Sequence, residues 1–173
     1  MLVAITSDIH NNEVNLQKVL NYCKEKEIQT MICCGDLASL ETLDFMNDNF
    51  AGNILFTFGN AEYDDLRDLA EEKKYRNTYL FKNFGEAIIE KNNVAFVHYP
   101  DKAKSLARTG KYDFVFYGHT HKPWIAEGLS DENSKKYTLL NPGTTAGEIY
   151  PPTFAIWETE TGKFDLIRIH ELK

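Results

Sequence analysis

Three observations predict an α/β fold built largely on parallel strands. Over the first 60 residues an apolar run, a polar turn and an amphipathic segment recur in that order, the alternation that yields parallel strands joined by helices. The apolar runs are rich in β-branched and aromatic residues, and they end in short polar blocks: Asp8-Ile9-His10, Gly35-Asp36 and Gly59-Asn60. After residue 84 the spacing becomes that of hairpins, so the second half is expected to form or extend a second sheet.

Leu2 to Ser7 reads as a buried strand. Asn12 is a ready N-cap for a helix that presents Leu16, Val19, Leu20 and Cys23 on one face. Thr30 to Cys34 is the second strand. Ser39 to Phe50 follows as a helix facing inward through Leu40, Leu43 and Phe45, and Ile54 to Phe58 is the third strand. Asp64 to Lys74 reads as a charged helix. Glu86 to Glu90 and Val94 to His98 read as a hairpin around Lys91-Asn92-Asn93, Asp101 to Thr109 as a short helix closed by Gly110, and Phe114 to Tyr117 as a strand. Further strands are expected at 123–127, 137–140, 153–158 and 164–169, separated by turn signals at Asn141-Pro142-Gly143 and Thr161-Gly162. The stretch from Gly128 to Lys136 is the most solvated loop.

With 173 residues, 43% of them hydrophobic, the chain is expected to form one domain with a sizeable core. A formal charge of −7 spread along the sequence argues against an extended nucleic-acid surface or an anionic membrane partner. Residues 1–7 lack the basic flank of a signal peptide and no run approaches a membrane span, so the expected location is the cytoplasm. Cys23, Cys33 and Cys34 are odd in number and lack zinc-finger spacing, and they read as reduced, buried thiols.

The chemistry lies in the blocks that close the strands. Four of the five histidines, His10, His98, His119 and His121, accompany Asp8, Asp36 and Asn60 in five such blocks. In parallel α/β sheets the carboxyl ends of the strands share one edge, so these residues can meet in space. Imidazole and carboxylate together suit manganese, iron, nickel or zinc, whereas magnesium and calcium prefer all-oxygen shells. Asp8 and His10, like His119 and His121, are two apart and can face one point only if the chain leaves strand geometry there, a bend that Gly118 eases. Asp36 can bridge two cations through its two oxygens, and metals about 3.5–4 Å apart could clamp both oxygens of a phosphoryl displacement. Two divalent cations against two carboxylates leave a formal charge of about +2, lowered to about +1 by a bridging hydroxide, which attracts a phosphodiester.

Each block also has an ordinary reading. Gly-Asp and Gly-Asn are common turn dipeptides, a single His98 is more often a hydrogen-bonded histidine, and Asp8-x-His10 is weak by itself. Gly118-His119-Thr120-His121 is more specific, because alternate histidines after a strand are seldom needed for packing. The order of all five blocks favours the metal reading. His170 belongs to no block and reads as a surface residue.

On these blocks the chain resembles the calcineurin-like metallophosphoesterases, in particular the small bacterial and archaeal phosphodiesterases, over nearly its full length. The resemblance implies a four-layer α-β-β-α sandwich of two mixed sheets flanked by helices. It implies that Asp8, His10 and His121 bind one metal and Asn60, His98 and His119 the other, with Asp36 bridging. It further implies in-line attack on phosphorus by a metal-bridging hydroxide with no protein nucleophile, and two divalent cations with manganese as the leading candidate. Two departures stand out. Gly59-Asn60-Ala61-Glu62 lacks the histidine that many members carry after the asparagine as a leaving-group acid, and Val97-His98-Tyr99-Pro100 replaces a common glycine. Losing a proton donor is typically worth about 10²–10⁴-fold in rate. Asn11 and Tyr99 are expected substrate contacts, and Asn141-Pro142-Gly143-Thr144 resembles a supporting turn of the family. The leading expectation is a phosphodiesterase acting on small substrates. A phosphomonoesterase and a non-catalytic scaffold of the same fold are the alternatives, the oligomeric state stays open, and the loops at 61–84, 99–110 and 145–152 carry no motif that names a substrate.

Overall fold

The computed structural model describes residues 1–62, 68, 70, 72–73 and 75–172. In chain order the described elements are β1 (Leu2–Thr6), α1 (Glu13–Glu25), β2 (Thr30–Cys33), α2 (Leu40–Asn49), β3 (Asn53–Thr57), β4 (Thr78–Phe81), β5 (Gly85–Ile89), β6 (Asn92–Val97), α3 (Pro100–Arg108), β7 (Phe114–Tyr117), β8 (Trp124–Leu129), β9 (Lys136–Asn141), β10 (Thr153–Glu158) and β11 (Lys163–Arg168). The helix expected across Asp64 to Lys74 falls for the most part outside the described residues. None of the described helices is long and apolar enough to cross a membrane.

The strands form two mixed sheets, ordered β11-β10-β1-β2-β3-β4 and β5-β6-β7-β9-β8. In the first, β1 through β4 run parallel and β10 pairs antiparallel with β1. In the second, β6, β7 and β9 run parallel between the antiparallel edges β5 and β8. Alternation along each strand sorts side chains into three cores. Ala4, Met31, Cys33, Ile54, Phe56 and Phe154 face α1 and α2. Val3, Ile5, Ile32, Phe96, Phe116, Leu140 and Trp157 fill the space between the sheets. Ala95, Val97 and Val115 meet Ala103 and Ala107 of α3. The layers are therefore helix, sheet, sheet, helix, as the resemblance implied.

The caps explain where the helices start. The Asn12 side chain accepts from the Asn15 N–H at the head of α1, and Ser39 does the same for Thr42 at the head of α2. Leu16, Val19, Leu20 and Cys23 are buried as expected, whereas in α2 the buried set is Thr42, Leu43 and Met46, with Phe45 only half-buried. Four further readings need correction. The 86–98 hairpin turns on Glu90-Lys91, not on 91–93, because Ile89 pairs directly with Asn92 and Glu90 takes the positive φ of 55° that so short a turn requires. Strand pairing continues from Leu129 to Lys136, which shortens the solvated loop to residues 130–135. β4 lacks an alternating pattern long enough to stand out in the sequence. The hairpin of β10 and β11 joins the first sheet rather than the second, because Phe154 and Ile156 cover the α1 side while Ala155 and Trp157 enter the inter-sheet core.

Trp157 is the largest fully buried side chain and lies among Phe114, Phe116 and Phe164. Trp157→Ala is expected to cost about 3–5 kcal/mol, read as a lower urea midpoint by far-UV circular dichroism.

Candidate metal centre

The blocks that close β1, β2, β3, β6 and β7 meet at the carboxyl edge of the parallel strands, and all seven expected ligands come together there. Asp8, His10 and His121 form one group whose ligand atoms lie within 4.8 Å of one another, and Asp36, His98 and His119 form a second on the same criterion. Asn60 joins the second, its Oδ1 lying 3.0 Å from His98 Nε2. His170 is exposed, belongs to neither group, and has Glu171 as its ion-pair neighbour.

The backbone makes this convergence possible by leaving regular strand geometry. Asp8, His10, Asp36, His119 and His121 have φ of 54°, 44°, 56°, 71° and 59°, a left-handed conformation that costs about 1–3 kcal/mol per residue and persists only where the surroundings enforce it. They do enforce it. The Asp36 carbonyl accepts from both the Ile9 and His10 N–H groups at 2.8 and 3.0 Å, Asp8 N–H donates to the Gly35 carbonyl, and Ala146 N–H donates to the Asp8 carbonyl. Thr144 Oγ1 donates to the same Asp8 carbonyl, while Asn141 Nδ2 donates to the Gly118 carbonyl, so the Asn141-Pro142-Gly143-Thr144 turn supports two ligand loops. Gly118 is not the bend: a Cβ there would lie 1.8 Å from Ser7 Oγ and 2.8 Å from Asp8 Oδ2. Its role is close approach, and His119 itself takes the left-handed turn.

His98 Nδ1 lies 2.8 Å from the Cys34 carbonyl oxygen, which can only accept, so the ring proton sits on Nδ1 and the Nε2 lone pair points inward. Around that Nε2 stand Asn60 Oδ1 at 3.0 Å, His119 Nδ1 at 3.1 Å and Asp36 Oδ2 at 3.3 Å. Lone pairs outnumber protons at this point, and a divalent cation satisfies such a set directly. In the other group His121 Nε2 is 3.3 Å from Asp8 Oδ1 and 3.3 Å from His10 Nε2. Asp36 Oδ2 faces both groups, 3.3 Å from His98 Nε2 and 3.8 Å from His10 Nε2. Its Oδ1 accepts from the Ala61 N–H at 2.8 Å. One carboxylate oxygen, rather than two, is thus free to bridge.

The electrostatics favour positive charge. Burial alone would raise the Asp36 carboxyl, but whenever the His98 ring is protonated its Nε2–H donates to Asp36 and its charge holds that carboxyl below the usual carboxylate range. Burial likewise opposes protonation of His98, yet Asp36 and Asp8 push its pKa up, and the bond to Asp8 does the same for His121. Glu62, which keeps the acid that the family pattern has at the end of this block, adds a third buried carboxylate to the count of two. An acid two places after a ligand asparagine was the available signal.

Of the expected substrate contacts, Tyr99 is 43% exposed, with its ring centroid 5.1 Å from that of His98 and 5.2 Å from that of His119. Asn11 is exposed, and its side-chain oxygen accepts from Thr42 Oγ1, which ties it to α2 rather than to the head of α1. The three cysteines are buried and unbridged. Burial pushes the Cys23 and Cys33 thiols up to about 12.

The calcineurin-like phosphoesterase superfamily domain matches residues 1–162. The chain belongs to that superfamily, and it is a metal-dependent phosphoric ester hydrolase. It is similar to a phosphodiesterase of Methanocaldococcus jannaschii, 28% identical over 173 residues that span 95% of this chain and 96% of the relative. A solved archaeal phosphodiesterase superposes with a TM-score of 0.79 at 26% identity, covering 97% of this chain and 99% of the other. Vps29 of Entamoeba histolytica, solved with zinc, shares the fold with a TM-score of 0.61 at 19% identity over 98% and 99% of the two chains.

Gly118→Ala is expected to displace Ser7 and Asp8 and so to weaken the first group. In thermal melts, the rise in Tm on adding manganese should shrink relative to the parent protein.

Proposed function

We propose that the chain, acting as a single domain, hydrolyses small phosphodiesters at a dinuclear centre. The crowding of lone-pair atoms about His98 Nε2 and about Asp8 Oδ1, with Asp36 Oδ2 facing both, carries this reading. Asp8, His10 and His121 would hold one cation, Asn60, His98 and His119 the other, and Asp36 both. Manganese leads among the candidates, with nickel, iron and zinc compatible with the same donors. Bound there, the cations would supply Lewis acidity and an activated water for in-line displacement at phosphorus.

The protein's own groups have definite tasks. The Cys34 carbonyl holds the His98 ring in the tautomer that leaves Nε2 unprotonated, and the Ala61 N–H turns Asp36 so that Oδ2 faces inward. Tyr99 would pack against an organic substituent of the ester, and Asn11, its oxygen already engaged by Thr42, would offer its amide nitrogen to a phosphate oxygen. Burial of the thiols at Cys23, Cys33 and Cys34 supports a reaction without a cysteine nucleophile and a reducing, cytoplasmic setting. Retention of all seven ligand-type side chains weighs against the scaffold alternative.

Three outcomes follow. Chelation should abolish hydrolysis of bis(p-nitrophenyl) phosphate and manganese should restore it, with two cations per chain by titration calorimetry. Full activity in protein shown metal-free by elemental analysis would overturn the reading. Because Ala61 offers no proton to the departing oxygen, rates across aryl phosphodiesters should fall steeply as the leaving phenol becomes less acidic, and a flat dependence would count against it. Tyr99→Ala should raise KM for aryl diesters about tenfold with a smaller change in kcat, the scale of one lost stacking contact.

A further inference from the structure

Glu62 is 2% exposed, and the reaction described above gives its carboxylate no task. Among the described residues, every hydrogen bond to its carboxylate comes from backbone. Oε1 accepts from the Leu37 N–H and, at 2.9 Å, from the Ala38 N–H, while Oε2 accepts from the Gly59 N–H and, at 3.2 Å, from the Asp36 N–H. Three of these donors are consecutive, and they converge because Gly35, Asp36 and Ala38 have φ of 91°, 56° and 88°. A curl of successive N–H groups of this kind is an anion nest. Here the anion is supplied by the chain itself.

The four donors belong to two different loops. Residues 36–38 follow β2 and carry Asp36; Gly59 follows β3 and precedes Asn60. The turn bearing Glu62 also reaches the Asp36 side chain through the Ala61 N–H. The approach is tight, since a Cβ on Gly59 would lie 2.1 Å from Asp36 Oδ1. Only a carboxylate of this length fits: glutamine would turn an N–H₂ group toward N–H donors, and aspartate is one carbon short of spanning both loops.

We propose that Glu62 is a positioning residue that assembles the centre, its carboxylate locking the loop of Asp36 to the loop of Asn60 before any cation arrives. It fixes where Asp36 Oδ2 stands between the two ligand groups without being a ligand. The proposal rests on the dinuclear reading.

The test compares parent protein, Glu62→Gln and Glu62→Asp, loaded with manganese and followed by titration calorimetry and by electron paramagnetic resonance, which reports the coupling between two bridged Mn²⁺ ions. In a Glu62→Gln protein with unchanged far-UV circular dichroism, Mn²⁺ affinity should fall about 10–100-fold and the coupled signal should be lost. Two Mn²⁺ bound with parent affinity and coupling would overturn the proposal. Should Glu62→Gln fail to fold, the same comparison with Glu62→Asp decides, because it keeps the charge and loses only the reach. Amide hydrogen exchange of the metal-free parent needs no variant: the N–H groups of Asp36, Leu37, Ala38 and Gly59 should be protected, and free exchange until manganese is added would overturn the proposal. A parent protein binding a single Mn²⁺ would defeat the dinuclear reading instead, with the exchange data still judging Glu62.

Discussion

Asp36 is the point on which the structure turns. Its carbonyl receives the N–H groups of Ile9 and His10, its own N–H reaches Glu62, one carboxylate oxygen is held by Ala61, and the other faces His98 and His10. A single residue therefore ties together the loops after β1, β2 and β3 and presents charge to both ligand groups. Such a node can exist only where strands run parallel and end together, which is what the sheet order supplies.

The strain of the ligand loops and the stability of the sandwich are two sides of this arrangement. Five of the candidate ligand residues occupy left-handed backbone. That conformation is held because Gly35, Gly59 and Gly118 let neighbouring backbone and side chains approach within distances a Cβ would forbid. The inter-sheet core around Trp157 and Phe96 keeps the two sheets in register, so that histidines from the second sheet meet carboxylates from the first. Packing far from the edge thus sets distances at the edge.

Much of this was legible in the sequence. The convergence of the candidate ligands was readable because Asp, Asn and His recur at strand ends, and the Asn12 cap and the inward face of α1 were readable from capping preference and periodicity. Other features were hidden for physical reasons. Periodicity tells which face of a strand is buried but not which strand lies beside it, so β10 and β11 could not be assigned to the first sheet. Glu62 received no role from the sequence because three of its four backbone donors lie 24 to 26 residues away, in a loop whose curl leaves no mark in residue type. That one Asp36 oxygen rather than two faces the histidines depends on one N–H, that of Ala61, and backbone donors are present at almost every position.

The hydrogen bonds from the His119 N–H to both Asp8 oxygens span 111 positions of sequence, and that from the Ala146 N–H to the Asp8 carbonyl closes a still longer loop. Loops of this length are entropically expensive to close and close late. During synthesis, Asp8 and Asp36 emerge well before His119 and His121 exist. A nascent chain therefore lacks the assembled edge, and the side chains that crowd there meet only once the polypeptide has been made past Ala146 and its distant parts have come together.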